Sequence, residues 1–260
     1  MASLIKTAVR TYRHLVYDLA DPRTSEWFLM GSPLYPLGIL LSYVYFVKVA
    51  GPRYMKDRPA YSLNRIVALY NIIQILLNVA IFIKAVKIVM MQNIVCEAVD
   101  YSDSPRALYI TTACWEYFAI KVLDLLDTVF FVLRKKGKQI TFLHLYHHMG
   151  MALSSWIGTR YFPGGNAVIV GLLNTFVHMF MYSYYLYSNT WRQHNIWWKK
   201  YITQLQMAQF VVISLHTLSA LLVTDCQYPA IISSIVFVQN VSIFVMFFDF
   251  YRKAYGKGGD

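Results

Sequence analysis

Residues 228–250 read YPAIISSIVFVQNVSIFVMFFDF, 23 residues with one carboxylate, Asp249, and no basic side chain. A run this long and apolar is read as a helix crossing the roughly 30 Å hydrocarbon core of a bilayer. Six more stretches of the same kind lie at about 28–50, 66–90, 107–133, 140–158, 166–188 and 201–224. Their apolar residues are continuous rather than alternating, which points to helices and not to a barrel. Short connections rich in Gly, Pro and charge separate them, such as Gly51-Pro52-Arg53, Ser104-Pro105-Arg106 and Arg134 to Lys138. The expected architecture is an all-α polytopic membrane protein with seven transmembrane helices, residues 1–260 forming one membrane domain.

Composition agrees. The 260 residues are 57 % hydrophobic and 14 % charged, and the mean hydropathy is +0.42. A soluble domain carries about 25 % charged residues, so disorder, a coiled coil and a soluble disulfide scaffold are excluded. The net charge of +11 could suggest nucleic acid, but basic residues in a membrane protein first set orientation. Fourteen lie on one side: Arg53, Lys56, Arg58 and Arg65; Arg134, Lys135, Lys136 and Lys138; Arg192, Lys199 and Lys200; Arg252, Lys253 and Lys257. The other side holds six: Lys6, Arg10, Arg13, Arg23, Arg106 and Arg160. The positive-inside rule places the first group and the C-terminus in the cytosol, and the N-terminus across the membrane. No nucleic-acid partner is then needed. The N-terminal stretch lacks the apolar region of a cleaved signal peptide, and residues 1–27 suit a short interfacial helix. Cys96 and Cys226 fall in loops on the same, non-cytosolic side, where an oxidising compartment would let them form a disulfide. Cys114 reads as packing.

Ionisable residues within spans are costly and are functional candidates by default. Lys121, Asp124 and Asp127 share one side of span three, the first two spaced to pair. Span four opens with HLYHH, and the i, i+3, i+4 spacing puts His144, His147 and His148 on one face. Asn174, His178, Tyr182 and Tyr185 share an arc of about 80° on span five, and Thr203, Gln206, Gln209 and His216 about 140° on span six. At 1.5 Å per residue, Asp124, Asp127, His144, His147, His148, His178, Gln206 and Gln209 lie about 7–15 Å in from the cytosolic boundary, and His216 lies deeper. One polar pocket opening to the cytosol would have this arrangement. Di-iron membrane oxygenases use several histidine clusters, whereas this chain has one cluster and seven histidines, of which His14 and His194 read as peripheral. A single metal on the HxxHH face remains an alternative, making a His-ligated lipid oxidoreductase the rival enzyme. A seven-helix receptor or transporter leaves the histidine face without a role.

Four motifs occur in order: KVLDLLDTVFFVLRKK at 121–136, HLYHH at 144–148, NTFVHMFMYSYY at 174–185 and TQLQMAQF at 203–210. Together they resemble the ELO family of very-long-chain fatty-acid elongases. Asp124 departs from the family pattern, where many members carry Glu, and the chain ends KGGD without the common dilysine retrieval signal. The resemblance implies helices around an internal acyl-chain tunnel in the endoplasmic reticulum membrane. It implies condensation of a long-chain acyl-CoA with malonyl-CoA to 3-oxoacyl-CoA, CO2 and CoA, with no cofactor and no metal. Other enzymes of the elongation cycle are implied partners, and a homodimer is an open alternative. Arg134, Lys135, Lys136, Lys199, Lys200, Arg252 and Lys253 would meet the phosphates of CoA at the cytosolic mouth. No cysteine lies at the right depth for acylation, so His147 is the expected nucleophile, forming an acyl-imidazole. His178 would orient the thioester or move a proton, while His144 and His148 set tautomer and position. Asn174, Tyr182 and Gln206 are candidate donors to an oxyanion or enolate, with Gln209 beside them. Asp124 and Asp127 would orient the histidines or Lys121. A version with histidines as general bases in one ternary complex is the alternative mechanism.

Overall fold

The computed structural model describes residues 2–190 and 198–256; Arg192, His194 and Lys257 lie outside them. Its helices are α1 (Ala2–Arg13), α2 (Leu34–Met55), α3 (Asn64–Val89), α4 (Pro105–Leu123), α5 (Leu126–Leu133), α6 (Phe142–Tyr161), α7 (Ala167–Thr190), α8 (Lys199–Leu222) and α9 (Ala230–Tyr255). No strand occurs among the described residues. Five helices, α2, α3, α7, α8 and α9, are long and apolar enough to cross a membrane. Outward residues such as Leu69, Leu76, Leu215 and Val238 are exposed, a surface suited to lipid rather than water. The two remaining stretches, α4–α5 and α6, carry the lysine, carboxylates and histidine box, and these lower their hydropathy.

Local chemistry explains the boundaries. The first span starts at Leu34 rather than 28, because a residue before proline is kept out of the helical region and Gly31-Ser32-Pro33 forms a turn instead. Near its end α2 widens into a π turn over Phe46–Ala50, just ahead of Pro52, which lacks an N–H and crowds the preceding turn. Ser104 caps α4 by accepting from the Ala107 amide at 3.1 Å, and Pro105 follows at the first helical position. Thr141 caps α6 through the His144 amide at 3.1 Å. The stretch expected as one helix over 107–133 is interrupted at Asp124–Leu125. Asp127 still faces the same way as Asp124, since the Tyr182 hydroxyl lies 2.9 Å from both carboxylates.

Packing closes a ring. α3 lies along α7, α7 meets α8, α8 pairs with α9, α9 touches α6, α6 packs on α4, and α4 returns to α3. α2 sits outside against α5 and α6, burying Tyr43 and Val47 with Leu125, Val132 and Leu145. Chain direction gathers Arg134–Lys138, the start of α8 and the end of α9 at one end of the bundle. The opposite end holds the disulfide Cys96–Cys226, which joins the α3–α4 loop to the α8–α9 loop. His216 Nε2 lies 2.8 Å from the Ile94 carbonyl beside it.

Candidate active site

Lys121 is 1 % exposed and lies on the last turn of α4. An ammonium has three N–H bonds and no acceptor. Three acceptors surround this one: Asp124 Oδ2 at 2.7 Å, Asn174 Oδ1 at 2.9 Å and His178 Nδ1 at 3.3 Å. Asn174 and His178 are one turn apart on α7, so a single helix face supplies both. Asp124 is saturated from its other side, where Oδ1 accepts from Gln74 Nε2 and the Tyr182 hydroxyl, each at 2.9 Å. The break after α4 allows this, because it lets the carboxylate face α3, α7 and its own lysine together. Such pairing is what a buried carboxylate requires. Asn174 Oδ1 also accepts from Tyr117 at 2.9 Å.

The histidine box adjoins this network. His144 Nε2 lies 2.8 Å from Thr128 Oγ1, which contacts the Tyr43 hydroxyl at 2.7 Å. The His144 and His148 rings are 4.2 Å apart, so one face of α6 does gather the histidines. The His147 ring is 5.8 Å from that of His148 and also packs 6.4 Å from Phe210 and 6.3 Å from Phe247. No hydrogen bond from a described residue reaches its nitrogens. Among the described residues, no three His, Cys, Asp or Glu side chains are grouped to hold a metal ion.

The family model for ELO, the GNS1/SUR4 family, matches residues 28–260. The chain belongs to the ELO family. A very long chain fatty acid elongase of Aedes aegypti is 40 % identical to it over 97 % of this chain and 72 % of the relative. Very long chain fatty acid elongase 7 of Drosophila melanogaster is 38 % identical over 95 % and 76 %. Very long chain fatty acid elongase 4 of Homo sapiens is 38 % identical over 98 % and 82 %.

In this ELO chain several expected site residues have other partners. Asp127 Oδ2 accepts from the Tyr182 hydroxyl at 2.9 Å, and no hydrogen bond joins it to a histidine among the described residues. Tyr182 has a single O–H, and both carboxylates lie 2.9 Å from it. Gln206 Nε2 is 3.6 Å from Met181 Sδ, and Gln209 is buried in α8. At the basic end, Arg134 donates to Asn64 Oδ1 at 3.1 Å. Lys135 takes a left-handed backbone, φ 52°, and donates to the Lys56 carbonyl at 3.3 Å. Lys136, Lys199, Lys200 and Arg252 are exposed, and Lys253 pairs with Asp249 at 2.7 Å.

Other members of the ELO network are absent from the expected set. Gln74 donates to Asp124 and, at 2.9 Å, to the Tyr70 hydroxyl; Tyr70 in turn donates to the Leu123 carbonyl at 3.2 Å. Tyr117, Thr128 and Tyr43 complete the shell. A signal for α3 was available: Asn71, Gln74 and Asn78 are buried polar residues in an apolar span, and their i, i+3, i+7 spacing defines one helix face.

Proposed function

We propose that this chain is a condensing enzyme of fatty-acid elongation, converting a long-chain acyl-CoA and malonyl-CoA to 3-oxoacyl-CoA, CO2 and CoA. The arrangement of His147 and His178 carries the reading. One imidazole is free of hydrogen bonds among aromatic rings, and the other is held by a buried lysine. The unpaired thiol, Cys114, belongs instead to a packing cluster with Ile110, Ala113 and Val168.

In the proposed route an unprotonated His147 nitrogen attacks the acyl thioester. A C–N bond forms, the C–S bond breaks, and the CoA thiolate leaves and takes up a proton. Malonyl-CoA then loses CO2, and its enolate carbon attacks the acyl-imidazole. The new C–C bond forms as the C–N bond breaks, returning the neutral ring. Lys121 donates to His178 Nδ1, so the proton of a neutral His178 resides on Nε2. His178 is thus a donor to the developing oxyanion rather than a base.

The basic end would meet CoA in the cytosol, with seven spans, a luminal N-terminus, a cytosolic C-terminus and the endoplasmic reticulum as the compartment. The interior of the helix ring would sheath the acyl chain, where burial of each CH2 contributes about 0.8 kcal/mol.

Purified protein incubated with acyl-CoA alone tests the route. Release of one equivalent of CoA with an acyl adduct on His147 is expected. Product formation from both substrates without any adduct would leave condensation standing and remove the covalent route. Stoichiometric iron and no 3-oxoacyl-CoA would favour the metal oxidoreductase.

A further inference from the structure

The N-terminal helix lies outside the ring. α1 carries Leu4, Ile5, Val9 and Tyr12 fully in the open, Leu4 being 75 % exposed. At 100° per residue these four fall within about 140° of arc. Lys6, Arg10 and Arg13 follow on the adjoining arc of about 60°, and the helix contains no acidic residue. A groove of about 420 Å³ straddles the border between the two, lined by Ile5, Lys6, Val9, Arg10, Arg13 and Asp18. The nearest acid, Asp18, is 3.3 Å from His14, not paired with these three basic side chains.

The base of this helix is fixed at the disulfide end of the bundle. Arg160, on the last turn of α6 and 1 % exposed, donates to the Val16 carbonyl at 3.3 Å and to Ser25 Oγ at 3.2 Å. The Asp21 amide returns a bond to the Arg160 carbonyl at 2.8 Å. Trp115 and Trp156 donate to the carbonyls of Phe28 and Leu29 at 3.1 and 2.9 Å. The helix therefore leaves the bundle at the disulfide end, beside the start of the span α2 at Leu34, where a bilayer around the bundle would have its headgroups. An apolar face left open there meets acyl chains, and a basic edge meets phosphate.

We infer that α1 is an anionic-phospholipid site, lying along the bilayer interface with the lipid phosphate on Lys6, Arg10 and Arg13 and the acyl region against Ile5 and Val9. The phosphates of CoA share this chemistry, but their expected mouth is the opposite end of the bundle. The site is independent of the condensation chemistry.

Full-length protein in phosphatidylcholine vesicles carrying a photoactivatable phosphatidylglycerol tests it, with adducts mapped by peptide mass spectrometry. The expected result is labelling within residues 2–18, lost roughly fivefold for each charge removed in the series K6Q, K6Q/R10Q and K6Q/R10Q/R13Q. Labelling should also fall with rising salt. A phosphatidylcholine probe should label weakly and without dependence on those charges, excess soluble CoA should not compete, and elongation activity of the variants should be unchanged. Equal labelling by both probes, competition by CoA, or absence of labelling within residues 2–18 would each overturn the inference. I5Q/V9Q, which keeps the charges, checks the apolar half: undiminished labelling would overturn the placement of the acyl region.

Discussion

Lys121 Nζ stands 3.3 Å from His178 Nδ1, and that contact decides which nitrogen of the imidazole faces the rest of the site. A lysine ammonium can only donate, so in the proposed route Nδ1 accepts and Nε2 carries the hydrogen. In the proposed route this buried cation makes His178 a donor rather than a base.

His178→Ala should lower the elongation rate by about 10²–10³, the usual effect of removing one oxyanion donor. His178→Gln, whose amide nitrogen can still donate, should retain more activity than Ala. Steady-state kinetics check this, with kcat falling and KM for acyl-CoA little changed. Equal loss in both variants would remove the donor role.

Lys121→Met leaves Asp124 buried without its cation, a change that costs about 3–5 kcal/mol. Thermal unfolding in detergent should show a lowered midpoint. Lys121→Arg should not restore it, because a planar five-donor fork cannot replace three tetrahedral N–H bonds aimed at three acceptors.

Asp124→Asn should be more damaging than Asp124→Glu. An amide presents an NH2 either to Lys121 or to Gln74 and Tyr182, all of which are donors here. Glu keeps the charge and adds one methylene, at about 1–3 kcal/mol of overpacking. Paired measurements of thermal midpoint and elongation rate rank the two.

The costly groups of this site were visible in the sequence because charge and imidazole stand out in apolar runs. Lys121 with Asp124, the HLYHH face, and Asn174 with His178 all lie in the places their helical spacing indicates. The break at Asp124–Leu125 was not visible: it contains neither Gly nor Pro, and the hydrophobic run continues through it. Asp127, expected to orient the histidines or Lys121, accepts from Tyr182 beside Asp124. Tyr182 looked available as a donor because a tyrosine gives no hint of which carboxylate will claim its hydrogen. Gln74 was overlooked since an uncharged amide in a span reads as ordinary interhelical bonding, and only the α3–α4 packing brings it to Asp124.

Gly165→Ala should destabilise the end of the bundle that holds the disulfide. Its φ is +57°, and an added Cβ would meet the Glu97 carbonyl at 2.7 Å and the Tyr228 ring at 2.8 Å. Overpacking predicts about 1–3 kcal/mol. Gly171→Ala, where a Cβ meets nothing within 4 Å, should be neutral or gain about 0.5–1 kcal/mol of helix propensity. Thermal midpoints of the two variants make the comparison.

Cys96→Ser with Cys226→Ser should lower thermal stability, by at most about 5 kcal/mol on the chain-entropy account of a long closed loop. Peptide mapping without reductant should recover the two cysteines joined. Recovery of both as free thiols would remove this contribution.

The same bond has a topological consequence. Cys96 and Cys226 are 130 residues apart, and Lys121, Asp124, the three clustered histidines, Asn174, His178 and Gln209 all fall between them. The groups assigned to chemistry thus sit on a covalent macrocycle, while α1, α2 and α3 on one side and α9 on the other belong to its two tails. A protease that cuts once anywhere between the cysteines opens this circle without producing two separable fragments. On a denaturing gel the nicked chain would migrate near its intact mass until a reductant is added.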